Sequence, residues 1–268
     1  MVFTNSRWHY NQHLKNKTLN WAGTDKEKEF EELLRNNPND ESYLHYKDNP
    51  ITYKFNNFGF RTPTDFNKDI EGNVYLGCSH TCGIGHYLEN TWSWRFNQKI
   101  GGGYFNLALG GTGIGTSARL LEGYKDMFKI KNVFLFHPHA YRYEYYDSYQ
   151  RKWIVASINS WDADKPYSTR VISETENMKK YWFLNYMYIE KICRELNVPL
   201  YTISPYLFVG GGVLPYYASS DNKDAYPIKA RDTHLSVGDQ VTIAEKFYDV
   251  YSNKTPPYNK PWMVKTLT

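Results

Sequence analysis

The stretch Asn73–Gly85, NVYLGCSHTCGIG, decides how this chain reads. Val74, Tyr75 and Leu76 form a short apolar run with a β-branched residue and an aromatic, the mark of a buried strand. Gly77 breaks the run, and Cys78-Ser79-His80-Thr81 follow as a tight turn that Gly83 and Gly85 keep slim. Residues 89–100 then read as a helix. A strand that stops at a small residue and presents a serine at its carboxyl end sits where parallel α/β sheets place their chemistry.

Downstream the alternation continues. Residues 105–109 (FNLAL) read as a strand, 110–115 as a glycine turn, 117–128 as a helix and 133–136 (VFLF) as a strand. A long helix over 173–196 ends at Asn197 and Pro199, 200–204 reads as a strand, and 237–251 as a last helix. Strands alternating with helices predict an α/β fold: a three-layer α/β/α sandwich with a mainly parallel, flavodoxin-like sheet. Right-handed crossovers would bring all the strand carboxyl ends to one edge. Two long connections, 141–153 (YRYEYYDSYQRKW) and 209–230, read as loops at or near that edge. Upstream, residues 1–50 read as a polar N-terminal extension that packs on the domain formed by 51–268. Within it, 25–35 has the pattern of a short amphipathic helix, and 51–60 reads as a strand or extended lead-in.

Composition narrows the field. With 41% hydrophobic and 22% charged residues over 268 positions, the chain can bury a core. The net charge of +4 comes from Lys and Arg scattered among Asp and Glu, which gives no footprint for nucleic acid. Three cysteines, Cys78, Cys82 and Cys193, do not make a disulfide framework. The first residues lack the apolar core of a signal peptide, and no apolar run nears the roughly 20 residues that span a bilayer. The expectation is a soluble protein, cytoplasmic by default, with no membrane span. The 25 tyrosines serve either packing or a sugar-stacking or partner surface.

Four separated pieces fall at strand ends or before the last helix: Gly77-Cys78-Ser79-His80-Thr81, Asn106 to Thr112, His137-Pro138-His139, and Ala230-Arg231-Asp232-Thr233-His234-Leu235. In this order they resemble the SGNH/GDSL hydrolases over roughly residues 51–253. Gly59, Phe60 and Arg61 are similar to the G-F-R of the lead-in of many members, with Asn57 just ahead of them. The resemblance implies a serine nucleophile, Ser79, whose weak hydroxyl needs a base within reach. It implies His234 as that base and Asp232 as the acid that orients it. It further implies an oxyanion hole made of the Ser79 N–H, the Gly111 N–H and a third donor at His139. Where the family has G-x-N-D, this chain has His137-Pro138-His139-Ala140; where it has D-x-x-H, one residue fewer separates Asp232 from His234. His139 either donates to the oxyanion or contacts substrate, or the hole has two donors only.

The same residues admit rival readings. Cys78, His80, Cys82 and His86 are zinc-ligand types, but their interleaved spacing is not that of a zinc knuckle. Small buried thiols suit Cys78 and Cys82, and a Cys78 nucleophile would be out of register with the motif. Residues 110–115 open a helix after a strand but lack the G-x-G-x-x-G of a dinucleotide site. Arg142 and Glu144 are candidates for substrate binding, or form a solvated ion pair on a loop. The sequence calls for no metal or organic cofactor. It points to a serine esterase that hydrolyses an acyl ester, such as an O-acetyl ester, on a small molecule or an acylated glycan through an acyl-enzyme. The alternative is an inactive hydrolase-like domain that binds a glycan or a partner protein.

Overall fold

The computed structural model describes residues 11–21, 27–139, 142–149, 152–157, 175–204, 206–209, 212–215, 235 and 237–253. Its centre is a four-stranded parallel sheet built from β3 (Glu71–Leu76), β4 (Gly103–Asn106), β5 (Lys129–Phe136) and β8 (Leu200–Ile203), in the order β4-β3-β5-β8. The chain enters at β3, steps out to β4, then doubles back past β3 to β5 and on to β8. That reversal makes the carboxyl ends of β3 and β5 a topological switch point, where open α/β sheets form a crevice.

Both faces of these strands are buried, which explains their unbroken apolar runs. One set of side chains, Val74, Leu76, Phe105, Val133, Leu135 and Leu200, packs with α5 (Ile114–Tyr124) and α6 (Thr175–Glu195). The alternate set is aromatic. Tyr75, Tyr104, Phe134, Phe136 and Tyr201 pack with α4 (Trp92–Ile100) and α7 (Val237–Ser252). Each such side chain contributes about 1.5–3 kcal/mol on burial. Buried tyrosines also need hydroxyl partners: Tyr75 donates to Asn97 Oδ1 at 2.9 Å, and Tyr104 Oη lies 2.8 Å from Ser93 Oγ. Burial raises the pKa of both phenols, that of Tyr104 to about 12.

Several boundaries differ from the sequence reading, each for a local reason. The helix expected from residue 89 starts at Trp92, because Thr91 caps it by accepting from the Trp94 N–H. The strand expected over 105–109 spans Gly103–Asn106; the Asn106 side chain accepts the Ala108 N–H at 3.0 Å and turns the backbone out of the ladder. The 141–153 stretch, read as a loop, is mostly an antiparallel hairpin of β6 (Arg142–Asp147) and β7 (Lys152–Ser157). A second hairpin, β9 (Tyr206–Val209) with β10 (Gly212–Pro215), falls at the start of the other presumed loop.

Before the sheet, β1 (Thr18–Trp21) pairs antiparallel with β2 (Ile51–Lys54), and α1 (Glu27–Asn36) and α2 (Glu41–Asp48) lie between them in sequence. Tyr46, Ile51, Tyr53 and Phe55 form a small core with Leu19, Leu33 and Leu34, and it reaches Ile84 and Tyr87 beyond the Ser79 turn. Leu19, Leu33, Leu34 and Tyr46 thus share one apolar cluster with the loop that follows the Ser79 turn. Among the described residues no helix is long and apolar enough to cross a membrane.

Candidate active site

Ser79 opens α3 (Ser79–Cys82), a single helical turn at the carboxyl end of β3, with Cys78 as its N-cap. Gly77 makes the approach possible. Its φ is 152°, and a Cβ there would strike the Thr81 side chain and come within 2.8 Å of the Phe136 carbonyl oxygen on the neighbouring strand. The turn closes through Thr81 and Cys82 N–H groups on the Cys78 carbonyl, at 3.0 and 2.9 Å, and Gly83 and Ile84 N–H groups on the Ser79 carbonyl, at 2.8 and 3.1 Å. The Ser79 N–H takes no part in these bonds. Its side chain, in a residue 5% exposed, has Oγ 4.0 Å from Cys78 Sγ.

The lead-in explains how the loop after Ser79 is held. Arg61 is 2% exposed and has no carboxylate partner among the described residues. Its guanidinium instead donates to the carbonyls of Cys82 (3.2 Å), Gly83 and His86 (2.6 Å). It also lies 3.8 Å from the centre of the Tyr53 ring. Three carbonyl dipoles and an aromatic face together offset the buried charge. Tyr53 adds its hydroxyl, which accepts the Gly85 N–H at 2.8 Å.

The second and third pieces end on the same edge. Asn106 Nδ2 donates to the Thr81 carbonyl at 2.9 Å, and Thr112 Oγ1 to the Gly77 carbonyl at 3.4 Å. Gly111, with φ of 74°, lies exposed in the intervening turn. Arg142 Nη1 donates to the Thr112 carbonyl at 3.2 Å, which ties the β6–β7 hairpin to that turn. Gly113 allows it: a Cβ there would collide with the Arg142 backbone. Close packing of the hairpin therefore accounts for part of the glycine run that suggested a nucleotide site.

His139 leads from β5 toward that hairpin. Burial first, then the Arg142 charge, lower its pKa. Such a ring is neutral near pH 7 and keeps one N–H to donate. His137 is different: it is 1% exposed, lies 4.9 Å from the Trp182 ring and 5.5 Å from the Tyr186 ring, and neither nitrogen has a partner among the described residues. Burial lowers its pKa from 6.5 to about 3. The unfolded chain therefore takes up a proton below about pH 6.5 that the folded chain refuses, so stability falls as pH drops from there toward 3. The expected loss between pH 7 and pH 5 is about 2 kcal/mol from this residue. Urea titrations at both pH values check it: His137→Phe should lose that much less than wild type, and an identical acid limb would refute the assignment.

Other expected residues fall as follows. Glu144, on β6, is 7% exposed and does not form a solvated loop pair with Arg142. It forms a two-pronged ion pair with Arg119 of α5, at 2.7 Å for each contact, and accepts from Thr116 Oγ1 at 2.6 Å. Asp232 and His234 lie outside the described residues, but Leu235 and Gln240 do not. His86 Nε2 lies 2.7 Å from the Leu235 carbonyl oxygen, and Gln240 bridges the Trp92 N–H and the His80 carbonyl. Sequence reading gave Gln240 no role and considered His86 only as a metal ligand. A carbonyl partner far along the chain leaves no motif, so nothing in the sequence marked them.

Among the described residues, no group of three His, Cys, Asp or Glu side chains is placed to hold a metal ion. Burial pushes the Cys82 thiol up to about 11 and that of Cys193 to about 12, which keeps both protonated at neutral pH. No protein-family model and no curated protein matches the chain.

Proposed function

We propose that this chain is a serine esterase of the SGNH type, its helices covering both faces of the sheet in three layers. The observation that carries the proposal is Ser79 itself: a hydroxyl at the start of a helical turn, at the switch-point edge, with its own N–H left out of the turn's hydrogen bonds. A nucleophile whose backbone N–H is unspent can serve as its own oxyanion donor.

The chemistry follows from these groups. Ser79 Oγ attacks the acyl carbon while His234 takes its proton, with Asp232 orienting the imidazole. The oxyanion is held by the Ser79 and Gly111 N–H groups, with His139 as a third donor. Collapse expels the alcohol, protonated by His234, and leaves an acyl-enzyme. Water then attacks the acyl carbon, giving its proton to His234, and Ser79 recovers that proton as the acid departs. Support for His234 as the base comes from its neighbour Leu235, whose carbonyl lies against His86 of the Ser79 loop. A glycan carrying O-acetyl groups is the favoured substrate, because Tyr145, Tyr146 and Tyr149 are exposed on the β6–β7 hairpin, which Arg142 ties to Thr112. Tyrosine faces suit sugar rings.

The near-burial of the Ser79 side chain favours the second reading, a non-catalytic binding domain. Intact-mass analysis after treatment with a fluorophosphonate separates the two. A single adduct mapped to Ser79 is expected. A folded protein that gains no mass, or gains it elsewhere, would retire the esterase in favour of the binder.

A further inference from the structure

His86 and Gln240 are buried polar side chains to which the chemistry above assigns no part. His86 is 8% exposed, and its contact with Leu235 spans 149 positions of sequence. A carbonyl oxygen only accepts, so His86 Nε2 carries the hydrogen and donates. Gln240, 1% exposed, sits in the first turn of α7. Its Oε1 accepts the Trp92 N–H at 2.8 Å, one of the donors that the start of α4 cannot satisfy internally. Its Nε2 donates to the carbonyl of His80, the residue after Ser79, at 3.2 Å. The Ser79 loop thus gives one hydrogen bond to the segment entering α7 and receives one from it.

These bonds do what the apolar packing of α7 cannot. Phe247 stacks on Trp92 with ring centres 4.4 Å apart and planes within 10°. Stacked apolar faces fix which side of a helix is buried but resist sliding along its axis weakly, since the attraction is not directional. A reciprocal pair of hydrogen bonds fixes the axial position as well. We propose that His86 and Gln240 are positioning residues, which lock the segment entering α7 to the Ser79 turn and thereby set how His234 meets the Ser79 hydroxyl. The inference rests on His234 being the base. The need is clear from the chemistry: reacting groups drawn from distant parts of one chain lose up to about 100-fold in rate for an ångström of misplacement.

The test uses full-length His86→Leu, His86→Gln and Gln240→Met with two readouts. Hydrogen–deuterium exchange of the peptide over residues 231–240 reports the lock alone, and p-nitrophenyl acetate kinetics report its consequence. His86→Leu and Gln240→Met should speed exchange and lower kcat about 10- to 100-fold, with KM changed by less than about twofold. His86→Gln, whose amide places a donor near the lost Nε2, should restore both. Unchanged exchange in His86→Leu and Gln240→Met would overturn the proposal, as would Leu and Gln variants that behave alike, which would mean that packing alone matters. If wild type neither turns over the ester nor accepts a label at Ser79, the esterase reading fails, while the exchange results still decide whether the lock exists.

Discussion

Ser79→Ala should lower kcat for p-nitrophenyl acetate by about 10⁴-fold or more, because nucleophile and base act as a unit and removing either forfeits nearly all of their joint contribution. The same substitution should leave stability within about 0.5 kcal/mol of wild type. The Ser79 hydroxyl has its polar contact with Cys78 Sγ at 4.0 Å, too long to hold the turn, while the bonds that close the turn are backbone to backbone. Loss of rate without loss of fold is thus the expected signature. Cys78→Ala supplies the control: the thiol next to Ser79 is 1% exposed, and its removal should leave turnover within about threefold of wild type. Equal rates in wild type and Ser79→Ala would end the serine mechanism. A collapse in Cys78→Ala with Ser79→Ala unaffected would move the nucleophile by one residue.

How far the sequence carried this reading depends on where each residue finds its partner. The central strands were legible because burial on two faces leaves an uninterrupted apolar run. Val74–Leu76 and Val133–Phe136 need no periodicity to be recognised, and Gly77 and His137 punctuate them. Strand β6 (Arg142–Asp147) escaped because it mixes tyrosines with charged residues, which carry little apolar contrast. Its inward face meets Arg119 and Thr116, more than twenty residues earlier on another element. Ser79 was readable from local backbone demands, a strand end and a slim turn, whereas Gly111 was marked only by its place five residues after Asn106 in the pattern of the family the chain resembles. Arg61, His86 and Gln240 act by recognising carbonyls in distant segments. Any carbonyl looks alike in sequence, so the partners of these side chains appear only once the chain is folded.

Glu144 is where sequence and structure part most sharply, and it yields the largest stability effect. As a substrate ligand it would be expendable to the fold. As found, its carboxylate meets Arg119 through both oxygens and accepts the Thr116 hydroxyl, with the Arg119 guanidinium 4.4 Å from the centre of the Trp153 ring. Glu144→Gln should therefore take from a buried guanidinium the charge that this carboxylate supplies, at a cost of about 3–5 kcal/mol. For a chain of this size that lowers Tm by roughly 10 °C. Arg119→Met should cost a similar amount, since it strands the carboxylate. The pair removed together, as Arg119→Met with Glu144→Leu, should recover much of the loss, because two matched apolar side chains need no compensation in the interior. Thermal unfolding of wild type, Arg119→Met, Glu144→Leu and the double variant measures the coupling directly. A Glu144→Gln variant that melts with wild type but shows a raised KM would return this carboxylate to the substrate. Melting far below wild type, with rescue in the double variant, assigns it to fastening the hairpin onto α5. It is then this ion pair that holds Arg142 within reach of Thr112, and so keeps the Gly111 turn at the edge where Ser79 stands.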